Sequence, residues 1–143
     1  MTARGRPSTY NQEIGEEICV LLEQGRSLRS ICGSVRPSTD TPYPSMDAVY
    51  DWLRAHEAFS VRYALARERQ GQSHGDRVTH EAERLIDEGA ALGGDEIQAR
   101  KVAIDALKWA AGKLAAKTYG DRAEKEPGSD KPLIINVNLE GKE

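Results

Sequence analysis

Lysine is absent from the first 80 residues of this chain, where ten arginines stand instead. Phenylalanine occurs once, cysteine twice, and aromatic residues make up only 6% of the 143 positions. Each scarcity excludes something. With so few rings, a core must be built from aliphatic side chains and alanine. Two cysteines cannot make the disulfide framework of a small secreted domain. Cys19 and Cys32 read as buried thiols in helices, with a disulfide as the lesser alternative. No apolar run approaches the roughly 20 residues that a membrane span needs, and no hydrophobic signal opens the chain. The expectation is a soluble protein with no membrane partner. A formal net charge of −3 argues against a protein that coats nucleic acid non-specifically. There is no Walker-type phosphate loop, nucleophile elbow or convincing acid pair, so neither enzymatic activity nor a cofactor is expected. His74, Asp76, His80 and Glu83 match no metal-ligand motif, and His80 with Glu83 is an ordinary same-face helical pair. A metal-dependent nuclease using His74, Asp76 and His80 is the remote alternative.

What the chain does have is arginine. Its guanidinium fork matches phosphate and guanine edges better than an ammonium does, although arginine preference in a GC-rich genome accounts for the same bias. Arg4-Gly5-Arg6-Pro7 reads as a short basic arm of the kind that enters a minor groove. Asn11 or Gln12 opens a first helix with Ile14, Ile18, Leu21 and Leu22 inward, and Gly25 closes it. Ser27 caps a short second helix carrying Leu28, Ile31 and Cys32 inward. Pro37, Pro42 and Pro44 bar a helix from the next stretch. Ser45 caps a third helix over Met46–Ala55, with Met46, Val49 and Leu53 inward and Trp52 beside them. Three such helices fit a helix-turn-helix variant, or any small three-helix bundle. DNA contacts are expected from Arg4 and Arg6 in the arm and from Ser45, Tyr50 and Arg54 in the third helix, with Arg26, Arg29 and Arg36 on phosphates. Asp47 and Asp51 on the same helix repel phosphate, and the stretch before it is long for a simple turn. Useful affinity then requires several copies acting together.

From Glu57 the pattern is helical again, with Phe59, Tyr63 and Ala66 on one side, then Val78, Ala82, Leu85 and Ile86. Gly71 and Gly75 each cost roughly 1 kcal/mol relative to alanine inside a helix, so a kink, break or hinge is expected there. Gly89 and Gly93-Gly94 make a short link, which favours an antiparallel hairpin. Its second arm reads as a single helix over 95–121 with two apolar sides. Ile97, Ile104, Leu107, Ala111 and Leu114 are spaced like a heptad seam. Ala99, Ala103, Ala106 and Ala110 form a seam of small side chains. One stripe is expected on the preceding helix and the other on a neighbouring copy. After a charged linker, Leu133, Ile135, Val137 and Leu139 alternate with Ile134, Asn136 and Asn138, a strand pattern. A lone strand leaves its backbone groups without partners, so it must pair with another chain, and a ring of copies can close such strands into a barrel. The expected architecture is mainly α: a helix-turn-helix domain over 1–65, a helical oligomerisation hairpin over 66–121, and a linker with a C-terminal strand over 122–143.

Several words lie in order along nearly the whole chain: Gly5-Arg6-Pro7-Ser8 and Tyr10; Ile18-Cys19 with Leu21-Leu22 and Gly25; Val49 then Trp52-Leu53; His56-Glu57 with Phe59; Tyr63-Ala64 and Ala66; Lys108-Trp109-Ala110 leading to Tyr119-Gly120-Asp121. Together they resemble the terminase small subunits of tailed phages, of the Shigella phage Sf6 kind. The resemblance implies a viral protein of the host bacterial cytoplasm that assembles as a homo-oligomeric ring. It implies recognition of viral double-stranded DNA for genome packaging, and recruitment and regulation of the large terminase subunit, an ATPase and nuclease. It implies no nuclease activity in the small subunit itself. Two departures stand out. The loop before the third helix is longer, and Ala116 replaces a frequent proline, which extends the expected helix toward Tyr119. The alternative is a helix-turn-helix transcription regulator acting as a two-fold dimer.

Overall fold

Asn11 starts the first helix by accepting, at its side-chain oxygen, the backbone N–H groups of Glu13 (2.9 Å) and Ile14 (3.2 Å). Helix α1 (Gln12–Glu23) buries Gly15, Ile18, Cys19 and Leu22. Gly25 ends it at φ +93°, a conformation that favours glycine. Its N–H donates to Leu22 O (2.8 Å), and that of Arg26 donates to Leu21 O (3.1 Å). The Ser27 hydroxyl accepts from Ser30 N (3.1 Å) and opens α2 (Leu28–Cys32). Ser45 does the same for α3 (Met46–Ala55) through Ala48 N (3.2 Å). All three caps stand where the sequence predicts them. The structure, a computed structural model, describes residues 10–120. The expectations for Arg4 and Arg6, and for the strand residues Leu133, Ile135 and Val137, lie outside the described residues.

The long stretch between α2 and α3 folds back on itself. Val35 and Pro42 form an antiparallel bridge. Arg36 N–H donates to Thr41 O (2.7 Å), and Tyr43 N–H donates to Ser34 O (3.1 Å). This turns Tyr43 into the core beside Ile18, Leu22, Ile31, Val49, Trp52 and Phe59. The scarce rings gather around that core. Tyr10 stacks on His56 at 4.1 Å and meets Trp52 edge-on at 5.3 Å, and Phe59 lies between Trp52 and Tyr63.

A single residue, His56, separates α3 from α4 (Glu57–Glu88). At 32 residues α4 is about 48 Å long. Position 65 falls inside it. Its first half carries α1 and α3, and α5 (Gly94–Leu114) packs on its second half after a 3-10 turn at Gly89–Ala91. The pair is antiparallel: Arg100 lies 3.6 Å from Glu88 at one end, and Ala115 meets Gly71 at the other. The hairpin is therefore present, but the break expected at Gly71 and Gly75 is absent. Both glycines sit inside continuous helix, and close packing is the reason. A Cβ on Gly71 would lie 2.8 Å from the Ala115 backbone nitrogen, and one on Gly75 would lie 2.5 Å from the Tyr119 ring. The intrinsic cost of glycine is offset by the approach it permits.

A second correction concerns the helix expected over 95–121. It ends at Leu114. Ala115 leaves helical geometry (φ −123°, ψ 56°), and a short α6 (Ala116–Tyr119) follows. The bend buries Ala115 against Gly71 and lays Tyr119 on Gly75. The two stripes of α5 also separate. Ile104, Leu107, Ala111 and Leu114 are buried or half-buried toward α4, whereas Ala99, Ala103 and Ala106 are exposed. Ile97 is largely exposed near the start of α5, and Ala110 is half-buried at the edge of the outer face.

Candidate nucleic-acid interface

Each arginine can be sorted by whether a carboxylate holds it. Arg36 is the most buried of the paired ones. Its Nη2 donates to Glu17 Oε1 (2.6 Å) and its Nε to Oε2 (3.0 Å), while the Tyr43 hydroxyl donates to the same carboxylate (3.2 Å). These bonds hold the Glu17 carboxyl below its usual pKa, the bond from Arg36 being the largest cause. Arg36 is only 8% exposed. Its donors face inward and a carboxylate already occupies the fork, which sets it apart from the arginines still open to a phosphate. Arg62 bridges α4 to α1 through Glu16 (2.8 Å) and Glu23 (2.6 Å), and Arg69 adds a second bond to Glu23 (3.1 Å). On α3, Arg54 pairs with Asp51. In the hairpin, Arg84 and Arg100 share Glu88.

Four arginines among the described residues have no carboxylate within 4.0 Å: Arg26, Arg29, Arg67 and Arg77. Three of them converge on one edge, where the turn after α1 meets the middle of α4. Gln70 builds it. This side chain is 2% exposed, donates to the Arg26 carbonyl (2.8 Å) and accepts from Arg67 Nη1 (2.7 Å). The Arg26 guanidinium is steadied by the Ser30 carbonyl (3.2 Å) and the Ser34 hydroxyl (3.3 Å). Arg67 also lies over the Tyr63 ring, 5.8 Å from its centroid. His74 faces Gly25 across the same turn. Burial pushes the His74 pKa down, and Arg77 and Arg67 lower it further. Arg29 is exposed on α2, the helix that Arg26 leads into. The edge thus carries positive charge that no acid among the described residues pairs with, on backbone held by a buried amide. Arginine forks of this kind bind phosphate oxygens.

The remaining sites expected from sequence fall nearby or elsewhere. Tyr50 is exposed on α3 and lies near enough to Tyr63 to act on its phenol. Arg54 shares that outward face with Asp47, Tyr50 and Asp51. The Ser45 oxygen is engaged in capping α3. Among the described residues, His74, Asp76, His80 and Glu83 are not gathered into a group able to hold a metal. Arg67, Arg77 and Gln70 were not singled out from sequence. Their spacing with Tyr63 and His74 (63, 67, 70, 74, 77) places all five on one side of a helix, and that was the available signal.

A second surface lies on the outer face of α5. Val102 (59% exposed) and Trp109 (68% exposed) stand beside Ala99, Ala103 and Ala106 there. An exposed Trp with four small or branched neighbours is an apolar strip, and such strips mark contact surfaces. Sequence reasoning found its alanines and missed Val102 and Trp109, which flank the alanine seam on the side away from the heptad stripe.

Residues 10–126 match the family model described as Bacteriophage Sf6, terminase small subunit-like. Crystal structures of point variants of the terminase small subunit gp1 of the bacterial virus Sf6 are similar in sequence and fold. One is 32% identical, with 87% of this chain and 93% of that chain covered at a TM-score of 0.60. Two others are also 32% identical, covering 87% of this chain and 88% of theirs at a TM-score of 0.62. No curated protein matches. Among the described residues, no helix is long and apolar enough to cross a membrane.

Proposed function

The chain belongs to the Bacteriophage Sf6 terminase small subunit-like family, and from that premise we propose that it is the non-enzymatic subunit that recognises viral double-stranded DNA for packaging. In this reading the edge of Arg26, Arg67 and Arg77, with Arg29 exposed one turn beyond Arg26, holds the phosphate backbone. Tyr50, Arg54 and Ser45 on α3 stand closer to the bases, and Arg4 and Arg6 extend the contact. The observation that carries the reading is the sorting of the arginines. In a chain of net charge −3, three of the four arginines without a carboxylate partner among the described residues meet at one place. The copies assemble into a ring, with the outer face of α5 against a neighbouring copy and Leu133, Ile135 and Val137 pairing between copies. The ring brings several weak DNA contacts together and presents the DNA to the large terminase subunit, whose ATPase and nuclease it recruits and regulates.

The test is binding of a fluorescent duplex at several salt concentrations. Each phosphate contact contributes about 0.9 to the slope of log K against log salt. Replacing both Arg67 and Arg77 with alanine is expected to flatten that slope by nearly 2 units and to weaken binding across all sequences. An unchanged slope places the DNA elsewhere. Light scattering tests the ring, and a particle of only two subunits returns the reading to a dimeric transcription regulator.

A further inference from the structure

On the outer side of α1, facing the folded loop at 33–45, lies an open groove of about 870 Å³. Val20, Leu21, Pro37 and Tyr43 give it an apolar lining, and Glu13, Glu16 and Glu17 an acidic one. Val20 is 39% exposed, although it sits on a helix whose other face is core. The acid-free arginines do not line the groove, and neither the DNA reading nor the α5 surface uses it.

We propose that this groove is the docking site of the chain's own N-terminal arm, residues 1–9. Three observations commit it to that occupant. The first is attachment. The arm joins at Tyr10, which is anchored on His56 and Trp52, and Gln12 and Glu13, next along the chain, already line the groove. The second is reach. The residues back to Arg4 span at most about 20 Å when extended, and α1 from Gln12 to Leu21 is only about 14 Å long. The third is charge. The arm carries Arg4 and Arg6 with no carboxylate. In the groove, Glu17 is held by Arg36 and Glu16 by Arg62, but the Glu13 side chain is 78% exposed and its nearest cation, Arg36, is 4.0 Å away. Met1, Ala3 and Pro7 are the counterparts of the apolar lining. Exposed ion pairs are individually weak, yet a short tether supplies an effective concentration on the order of millimolar, so a weak contact suffices. The groove then competes with DNA for the same two arginines, a step that rests on the DNA reading above.

The experiment places the photo-crosslinking residue p-benzoylphenylalanine at Val20 in the full chain and maps crosslinks by mass spectrometry, using mixed isotopically light and heavy chains. The expected product joins position 20 to a peptide within residues 1–9 of the same chain. Glu13→Gln, at an exposed position, lowers its yield about twofold to fivefold, which is what losing one exposed ion pair gives. A saturating duplex lowers it as well. Absence of any arm peptide, capture of the arm from the other isotopic chain, or a yield unaffected by Glu13→Gln overturns the proposal. So does a yield unchanged beside bound duplex. If the DNA reading fails instead, fluorescence anisotropy shows no duplex binding while the crosslink persists, and the docking of the arm stands.

Discussion

Arg62 and Arg67 are the same residue type on the same helix, and neither has an acid at helical-neighbour spacing. Tertiary packing alone separates them. Glu16 and Glu23 of α1 hold Arg62 and offset its charge, whereas Arg67 rests on the neutral Gln70 and Tyr63 and its charge stays uncompensated. Opposite phenotypes are therefore expected. Arg62→Ala lowers the melting temperature and barely changes the salt slope of DNA binding. Arg67→Ala lowers the slope by about 1 and costs less melting temperature than Arg62→Ala, because it leaves only the Gln70 amide oxygen without its donor. Glu17 gives a pH prediction. Its folded pKa is depressed by Arg36, so its contribution is fully present above the ordinary glutamate value and is lost as pH falls through the folded one. Denaturant titrations of Glu17→Gln are expected to show a deficit at pH 7 that shrinks steadily below pH 4. A deficit equal at both pH values removes the ion pair as its cause.

At the scale of the element, α4 and α5 show how context reverses propensity. Gly71→Ala gains about 1 kcal/mol of helix propensity, but its Cβ would stand 2.8 Å from backbone at Ala115. Overpacking against a site that cannot yield costs about 1–3 kcal/mol, so the melting temperature is expected to fall. Gly94, at the start of α5, has open space around a Cβ. There the same substitution is expected to stabilise by about 0.4–1 kcal/mol through the unfolded chain. Equal shifts in the two melts would refute the packing argument. On α5 the stripes predict different failures. Ala103→Glu or Ala106→Glu, on the exposed face, is expected to leave circular dichroism unchanged while light scattering reports a smaller particle. Ala111→Glu, buried against α4, is expected to lose helicity.

For the whole molecule, the proposed ring links the two surfaces. If α5 assembles the copies and each copy holds DNA weakly, an Ala106→Glu variant keeps its affinity for a duplex long enough for one subunit only. It loses tens-fold or more on a duplex long enough for several, because linked sites act at high effective concentration. Equal losses on both lengths would mean that a single subunit carries the binding. Deleting residues 132–143 is expected to leave the particle mass unchanged by light scattering, since the helices hold the ring in this reading. Dissociation to monomers would transfer that role to the tail strand.

The local chemistry of this fold was legible residue by residue. Asn11, Ser27 and Ser45 announce helix starts because their side chains satisfy N–H groups of their own first turns, and Gly25 announces a stop by its left-handed backbone. The apolar periods placed the inward residues of α1 to α3 and predicted the hairpin. What sequence could not weigh was interaction between distant parts of the chain. Gly71 and Gly75 look like breakers until Ala115 and Tyr119 arrive against them. The helix over 95–121 looks continuous until the bend at Ala115 repays its lost helical geometry with that contact. Arg36 looks like a phosphate ligand until Glu17, 19 residues away, closes on it. The sequence by itself determined where α1, α2 and α3 begin and which faces are apolar, because caps and periodicity are local properties. Tertiary structure decided which arginines are left without a carboxylate partner and which stripe of α5 remains uncovered, because both depend on neighbours that the chain supplies only once it is folded.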